Sequence, residues 1–209
     1  MRTCFRRSSF VLALVLSLFI LQSGLTSTSA QDVPSQIGPV VPQASSCTVA
    51  PRTTDELKAL FSTASPDDPV VIDMTATIVV GEAADPVSAQ HVTSTIHQAI
   101  ACLNAGDFGR FFSLLTDRAI VAIFPWMAEV LSDEASAAEA LIPQPPEEDY
   151  QQTILGIGSI AQLPDGRYSA VLVGIDPSGG EAPFALYLIL TESDGAWLID
   201  DAVEFDMEM

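Results

Sequence analysis

The longest periodic pattern in the chain predicts a helix. From Val92 to Leu103, apolar residues recur at spacings of three and four, which places them on one helical face. Asp85-Pro86 precedes the run as a helix cap followed by proline in the first turn, and Asn104-Ala105-Gly106 ends it. We therefore expect a globular domain to begin at residue 85 with this helix.

Shorter patterns predict further elements around that helix. In chain order they are a helix over residues 54–64 behind a capping box of Thr53 and Glu56, a strand or extended docking arm from Val70 to Val80, a short helix from Asp107 that Thr116-Asp117 ends, a strand from Ala119 to Phe124, and a helix from Trp126 to Leu141. Pro143, Pro145 and Pro146 then stop the helical pattern.

Beyond these prolines the pattern changes to strands. Four apolar runs cover residues 152–162, 167–175, 183–191 and 196–205. The segments between them are rich in Pro, Asp, Ser and Gly, the residues of hairpin turns, so we expect neighbouring strands to be antiparallel. Helices followed by such a meander predict an α+β fold.

Two of the predicted strands are apolar on both faces. Along residues 170–175 and 184–190, hydrophobic side chains occupy odd and even positions alike. A sheet with one solvated face would alternate with polar residues, so both faces need a cover. The helices can cover one face; the other needs a second subunit, the N-terminal extension or a ligand enclosed by a curved sheet.

The first thirty residues have the layout of a secretory signal peptide. Three arginines precede an apolar run from Phe10 to Leu21, and Thr28-Ser29-Ala30 supplies a small-residue cleavage site. An uncleaved membrane anchor is the alternative, but the run is shorter than the roughly 20 residues that span a bilayer. We expect a secreted or cell-envelope protein whose mature chain begins near Gln31.

Charge restricts the partners of this chain. Cleavage would remove three of the eight basic residues and none of the 27 acidic ones, leaving five against 27 and a net charge of −22. Such a field repels phosphate backbones and anionic lipids, so we expect no nucleic-acid binding and no membrane binding after signal cleavage. The acidic run from Asp200 to Glu208 fits a solvated strand end or a weak cation site.

The cysteines predict one disulfide. Cys4 leaves with the signal peptide, and Cys47 and Cys102 remain as an even pair in an oxidising compartment. The alternative is two buried free thiols. A bridge would attach the N-terminal extension to the domain.

Three sequence stretches resemble the nuclear transport factor two-like superfamily, which includes ketosteroid isomerase and SnoaL-like polyketide cyclases. They are the helix end Cys102-Leu-Asn-Ala-Gly-Asp107, the segment Leu114-Leu-Thr-Asp-Arg-Ala119 and the turn Asp194-Gly-Ala-Trp-Leu-Ile-Asp200, within a match over residues 88–206. The resemblance implies a cystatin-like roll: a cone-like, curved antiparallel sheet packed on N-terminal helices, often with an internal pocket and often dimeric through the outer sheet face. The predicted organisation is a signal peptide over 1–30, an extended linker with one short helix over 31–84, and a nuclear transport factor two-like domain over 85–209.

No set of residues in the chain identifies a reaction. Isomerase-like members of the superfamily use a pocket carboxylate with a Tyr or protonated Asp, and here only Asp117, Tyr150, Tyr168 and Tyr187 offer such groups. His91 and His97 are six residues apart, hence on different helix faces, so we predict no metal site and no cofactor. Aromatic residues are the candidate walls of a ligand pocket: Phe112, Phe124, Trp126, Tyr150, Tyr168 and Trp197.

The sequence therefore favours a secreted, non-catalytic binding or interaction module that holds a small apolar ligand or forms a homodimer through the outer sheet face. An isomerase- or cyclase-type enzyme, using a pocket carboxylate and a Tyr for proton transfer, is the alternative. A partner domain for an envelope complex is the third possibility. The superfamily alone does not decide among them, because this fold supports enzymes, binding modules and interaction domains.

Overall fold

A computed structural model describes residues 38–63, 81–177 and 182–205. The predicted signal peptide and the predicted strand from Val70 to Val80 lie outside these residues. The described part is α+β, as the sequence predicted. Its helices are α1 (Thr54–Thr63), α2 (Pro86–Asn104), α3 (Phe108–Phe112), α4 (Asp117–Ile123), α5 (Met127–Ser132) and α6 (Glu134–Ala140), and its strands are β1 (Glu82–Ala83), β2 (Thr153–Gln162), β3 (Tyr168–Ile175), β4 (Pro183–Ser193) and β5 (Ala196–Phe205).

Helices α1 and α2 begin where their capping residues predicted. The Thr53 amide donates to the Glu56 carboxylate at 2.7 Å, and the Glu56 amide donates back to the Thr53 hydroxyl at 3.2 Å. Asp85 Oδ1 accepts from the amides of Val87 and Ser88, with Pro86 in the first turn of α2. These bonds satisfy amides that have no partner within the helix.

The five strands form one antiparallel sheet in the order β1-β2-β3-β4-β5. The hairpin between β4 and β5 turns through Asp194 and Gly195, both at positive φ, as a tight two-residue turn requires. Bulges interrupt the register of β2 and β5. All four predicted strand runs are present, and the two-residue β1 is an edge strand that the sequence pattern did not indicate.

The predicted strand from Ala119 to Phe124 is wrong, because this segment is helix α4. Thr116 caps the helix by accepting from the Ala119 amide through its hydroxyl at 3.1 Å. A short apolar run fits a strand and a buried helix equally well by period. The cap decides between them here, and Thr116 was interpreted only as the end of the preceding helix.

The predicted single helix from Trp126 to Leu141 is two helices. Asp133 has extended backbone angles, which end α5, and its side chain accepts from the Ser136 amide at 2.8 Å to cap α6. A capping aspartate inside an alanine-rich run therefore restarts the helix one residue later.

The core lies between the helices and one face of the sheet. Val92, Ile96 and Ala99 of α2 are buried there with side chains from the sheet: Ile154, Ala170, Leu172, Leu188, Leu190 and Ile199. The opposite sheet face carries Val171 and Val173, which are half-buried. We call these the inner and the outer face.

The described part of the N-terminal segment is attached to the domain at several points. Cys47 and Cys102 form a disulfide, which confirms the predicted pair. The Asn104 amide group, buried at the end of α2, donates to the carbonyl oxygens of Pro42 and Gln152, each at 3.0 Å. Arg52 donates to two carbonyls at the end of α3 and its following loop. Residues 40–52 are thus held by covalent, polar and ionic contacts.

Candidate functional site

A cavity of about 640 Å³ lies between α2 and the inner face of the sheet. Its size is that of a typical small-molecule site. Apolar side chains from every layer of the fold line it: Ile96, Ala99, Ile100 and Leu103 of α2, Phe111, Leu115, Ile123 and Phe124 of the short helices and their loops, and Leu172, Phe184, Leu186, Leu188, Ile199 and Ala202 of the sheet.

This lining combines residues at helical spacing with residues that alternate along a strand. The α2 residues lie at spacings of three and four, on one helix face, while the β4 residues Phe184, Leu186 and Leu188 alternate along one face of a strand. Gly174 is paired with Phe184, and a Cβ placed on Gly174 would lie 2.7 Å from the end of the Phe184 ring. The absence of a side chain at Gly174 therefore lets the Phe184 ring lie over β3 at the edge of the cavity.

The open side of the cavity is polar and acidic. We define the cavity mouth as five lining residues that include the exposed ones: Gln152, Asp176, Ala182, Pro183 and Glu204. They lie where β2 and β4 begin and where β3 and β5 end. Gln152 Nε2 donates to Asp176 Oδ2 at 3.3 Å. The lining contains the carboxylates of Asp176 and Glu204 and no Lys, Arg or His among the described residues.

The aromatic residues predicted as pocket walls lie in several different places. Phe124 lines the cavity, and the fully buried Phe112 packs behind it with ring centroids 5.2 Å apart. Trp126 lies 6.3 Å from Phe124 but lines a second, shallower depression of about 310 Å³. Tyr150 is exposed in a short 3-10 turn.

The remaining two predicted wall residues, Tyr168 and Trp197, contact each other away from the cavity lining. Their ring centroids are 4.9 Å apart, and the His91 ring stacks on Trp197 at 5.7 Å. The Ser88 hydroxyl lies 3.2 Å from the Tyr168 hydroxyl. These contacts pack the first turns of α2 against the adjoining ends of β3 and β5.

Sequence reasoning missed the aliphatic walls and the acidic mouth of the cavity. The walls come from distant segments whose residues have the composition of ordinary core, so no local motif marks them. Asp176 and Glu204 follow apolar strand positions, which is a signal for a strand end but not for a ligand site. Only the two-sided apolar character of β3 and β4 indicated an enclosed space.

A second acidic group lies on β5, and arginines surround it. Asp200 is the extra residue of the β5 bulge, between Ile199 and Asp201, which pair with consecutive residues of β4. Asp200 accepts from the Thr116 hydroxyl at 2.9 Å, from Arg167 at 2.8 Å and from Arg118 at 3.2 Å. The Asp200 carboxylate is thus an internal junction and not part of a solvated tail.

The partners of Asp200 determine its charge state. Burial acts to raise the pKa of Asp200, but the hydrogen bonds from Arg118, Thr116 and Arg167 outweigh it and hold the pKa below its usual value. The pKa of Arg118 is raised, because bonds to Asp200 and Asp201 outweigh the effect of its own burial. The pKa of Arg167 is raised chiefly by its hydrogen bond to Asp165.

The two histidines lie on α2 and do not meet. His91 is exposed and stacked on Trp197, whereas His97 is half-buried and its Nε2 has no hydrogen-bond partner among the described residues. Burial lowers the pKa of His97. No group of three or more His, Cys, Asp or Glu side chains with metal-binding geometry occurs among the residues that the structure describes.

The acid and tyrosine side chains considered for proton transfer are dispersed in the described structure. Asp117 begins α4 and forms an ion pair with Arg52 at 2.6 Å. Tyr150, Tyr168 and Tyr187 are not among the lining residues of the cavity. The carboxylates that do line the cavity are those of Asp176 and Glu204 at its mouth, and Asp176 accepts a hydrogen bond from the Gln152 amide.

Comparison of this chain with protein families, with curated proteins and with solved structures finds no match in any of the three. Within the described ranges, none of the helices has the length and apolar character needed to cross a membrane. The disulfide is compatible with an extracytoplasmic location.

Proposed function

We propose that this protein is an exported, non-catalytic module that binds a small apolar ligand in the cavity between α2 and the inner sheet face. The observation that carries the proposal is an aliphatic and aromatic cavity of about 640 Å³ that opens to solvent at one side. An apolar molecule entering it would leave water for a wall that offers few competing polar groups, which favours binding by burial of apolar surface.

The layout of this cavity also supports assignment to the nuclear transport factor two-like superfamily. A long helix followed by short helices and an antiparallel meander is the element order that the resemblance implies, and a pocket between helix and sheet agrees with its cone-like roll. We propose the assignment on this order and on the three sequence stretches, and with it a homodimer formed through the outer sheet face.

Binding is better supported than proton transfer. An isomerase of the kind considered above needs a carboxylate base and a hydroxyl donor directed at the same substrate atom. The cavity lining offers the carboxylates of Asp176 and Glu204 at its mouth and no tyrosine. An enzyme therefore stays the alternative proposal, distinguished by turnover of a bound ketone.

Calorimetric titration with decanol, a neutral apolar probe, tests the binding proposal. Ala202→Leu adds volume inside the cavity from β5, and Ala138→Leu adds the same atoms on the exposed face of α6 as the matched control. We expect decanol to bind the wild-type protein and the control equally, and to bind Ala202→Leu at least about tenfold more weakly, since added side-chain volume displaces the ligand.

Two outcomes would overturn the proposal. One is the absence of binding to the wild-type protein by decanol and by a larger neutral probe such as a sterol. The other is equal binding by Ala202→Leu and the wild-type protein, which would place the probe on another surface. Ala99→Leu, which fills the cavity from α2, gives an independent second variant if Ala202→Leu fails to fold.

A further inference from the structure

The charge around the cavity carries information about its ligand. Asp176 and Glu204 lie at the mouth, and the lining has no basic side chain among the described residues. A ligand whose apolar part fills the cavity places its polar end at this mouth. That end then meets two carboxylates within a chain whose net charge is already −19.

The arginines of the described structure are engaged at other positions. Arg52 pairs with Asp117, Arg110 with Asp107, and Arg118 and Arg167 with Asp200. None of the four lines the cavity. An anionic headgroup would thus find no cation among the described lining residues, and it would be repelled by Asp176 and Glu204 at short range and by the net charge at longer range.

From this asymmetry we infer that the ligand is a cationic amphiphile, an apolar body that carries an amine or a quaternary ammonium group. This inference rests on the proposed function, since it concerns the same cavity. The apolar body enters between α2 and the inner sheet face, and the cationic group stays at the mouth near Asp176 and Glu204. There it keeps part of its hydration, so attraction to the carboxylates is gained without complete desolvation of the charge.

Three probes of equal chain length but different headgroup charge test the inference by calorimetry: decyltrimethylammonium, decanol and decanoate, each below the concentration at which it forms micelles. We expect the cation to bind the wild-type protein about tenfold more tightly than decanol, and decanoate to bind more weakly than decanol. Raising the salt concentration should reduce the preference for the cation, because a headgroup at the mouth is screened.

Charge variants test whether Asp176 and Glu204 cause the preference for the cationic probe. In the double variant Asp176→Asn with Glu204→Gln, the cation and decanol should bind with equal affinity, whereas decanol should bind as it does to the wild-type protein. The double variant Glu129→Gln with Glu134→Gln, an equal loss of two charges at exposed positions of α5 and α6 outside the lining, is the matched control and should retain the preference.

The outcomes distinguish the inferred preference for a cationic ligand from the proposed binding of an apolar ligand. Binding of decanol together with equal or tighter binding of decanoate would overturn the inference and leave the proposed function standing. A cation preference that survives in the double variant would overturn it as well, because the general negative charge would then be the cause. Failure of all three probes and of the larger neutral probe, a sterol, to bind would overturn the proposed function itself.

Discussion

Two acidic regions lie at different positions along the sheet, and they are built in different ways. At the bulge of β5, Asp200 accepts from Thr116, Arg118 and Arg167 and only 14% of its side chain is exposed. At the cavity mouth, Asp176 accepts from the Gln152 amide, Glu204 is exposed, and no basic side chain of the described residues lines the cavity with them. Arg167 precedes β3 and Asp176 follows it, so one strand joins the two regions.

The difference shows where this chain uses its few cations. A carboxylate that is largely removed from water needs hydrogen bonds and opposite charge, and Asp200 receives both. Asp176 is only half-buried and Glu204 is exposed, so their carboxylates keep contact with water. The acids of the bulge therefore act within the fold, whereas those of the mouth face the space that a ligand would occupy.

Removal of the bulge carboxylate should give the largest effect. We expect Asp200→Ala to lower the free energy of unfolding by about 2 to 4 kcal/mol, because Thr116, Arg118 and Arg167 lose a shared acceptor. Glu204→Ala, on the same strand at the mouth, should change the free energy of unfolding by less than about 0.5 kcal/mol. Urea unfolding of both variants measures the contrast, and equal losses would remove the distinction between the two regions.

A substitution at the mouth end of β3 should give the next effect, through packing rather than charge. In Gly174→Ala the new Cβ would lie 2.7 Å from the Phe184 ring and 2.9 Å from the Thr153 carbonyl oxygen, so ring and strand must shift. We expect a loss of about 1 to 3 kcal/mol and weaker binding of decanol.

Gly158→Ala on β2 is the matched control for that substitution, because a Cβ there meets nothing within 4 Å. Its stability should stay within about 0.5 kcal/mol of the wild-type value. If the two glycine variants unfold alike, the close approach of Phe184 to Gly174 does not shape the cavity.

Acid should weaken the bulge in a definite pH window. Burial acts to raise the pKa of Asp200 in the folded protein, but its hydrogen bonds outweigh burial and lower the pKa. The ionised carboxylate therefore stabilises the fold fully at pH values above the pKa of the unfolded state, near 3.8. This contribution to stability is lost as the pH falls through the pKa of Asp200 in the folded protein. The stability gap between the wild-type protein and Asp200→Asn, measured by urea unfolding, should be constant at neutral pH and shrink below about pH 4. A gap that widens in acid would contradict this direction.

The mouth acids should have the smallest effect on stability. Asp176→Asn and Glu204→Gln together should change the urea midpoint by little, equivalent to less than about 0.5 kcal/mol. Thermal unfolding at low and high salt gives a second readout. A loss above about 2 kcal/mol would mean that these carboxylates belong to the fold, as Asp200 does.

Local sequence signals predicted much of the fold. Capping pairs such as Thr53 with Glu56, and the turn residues Asp194-Gly195, fix local backbone geometry whatever the rest of the chain does. The disulfide followed from the even pair of cysteines outside the predicted signal peptide. These features depend on residues that are close in sequence or on simple pairing.

Features that depend on distant contacts were less accessible. Thr116, whose cap makes the predicted strand over Ala119–Phe124 a helix, also donates to Asp200 of β5, a contact that local sequence does not show. Asp200 itself was grouped with an acidic tail, since neither arginine that binds it is nearby in sequence. The cavity could be anticipated only as a need to cover two apolar faces, because its walls are ordinary aliphatic residues.

Magnetic resonance of the protein with selectively labelled methyl groups, titrated with decanol, tests the central claim most directly. If decanol occupies the cavity, its protons should show nuclear Overhauser effects to methyl groups of Ile100, Leu172 and Leu188, and none to Val171 or Val173 on the outer face. Effects confined to the outer-face valines, or no effects at saturating decanol, would contradict an apolar binding site between α2 and the sheet.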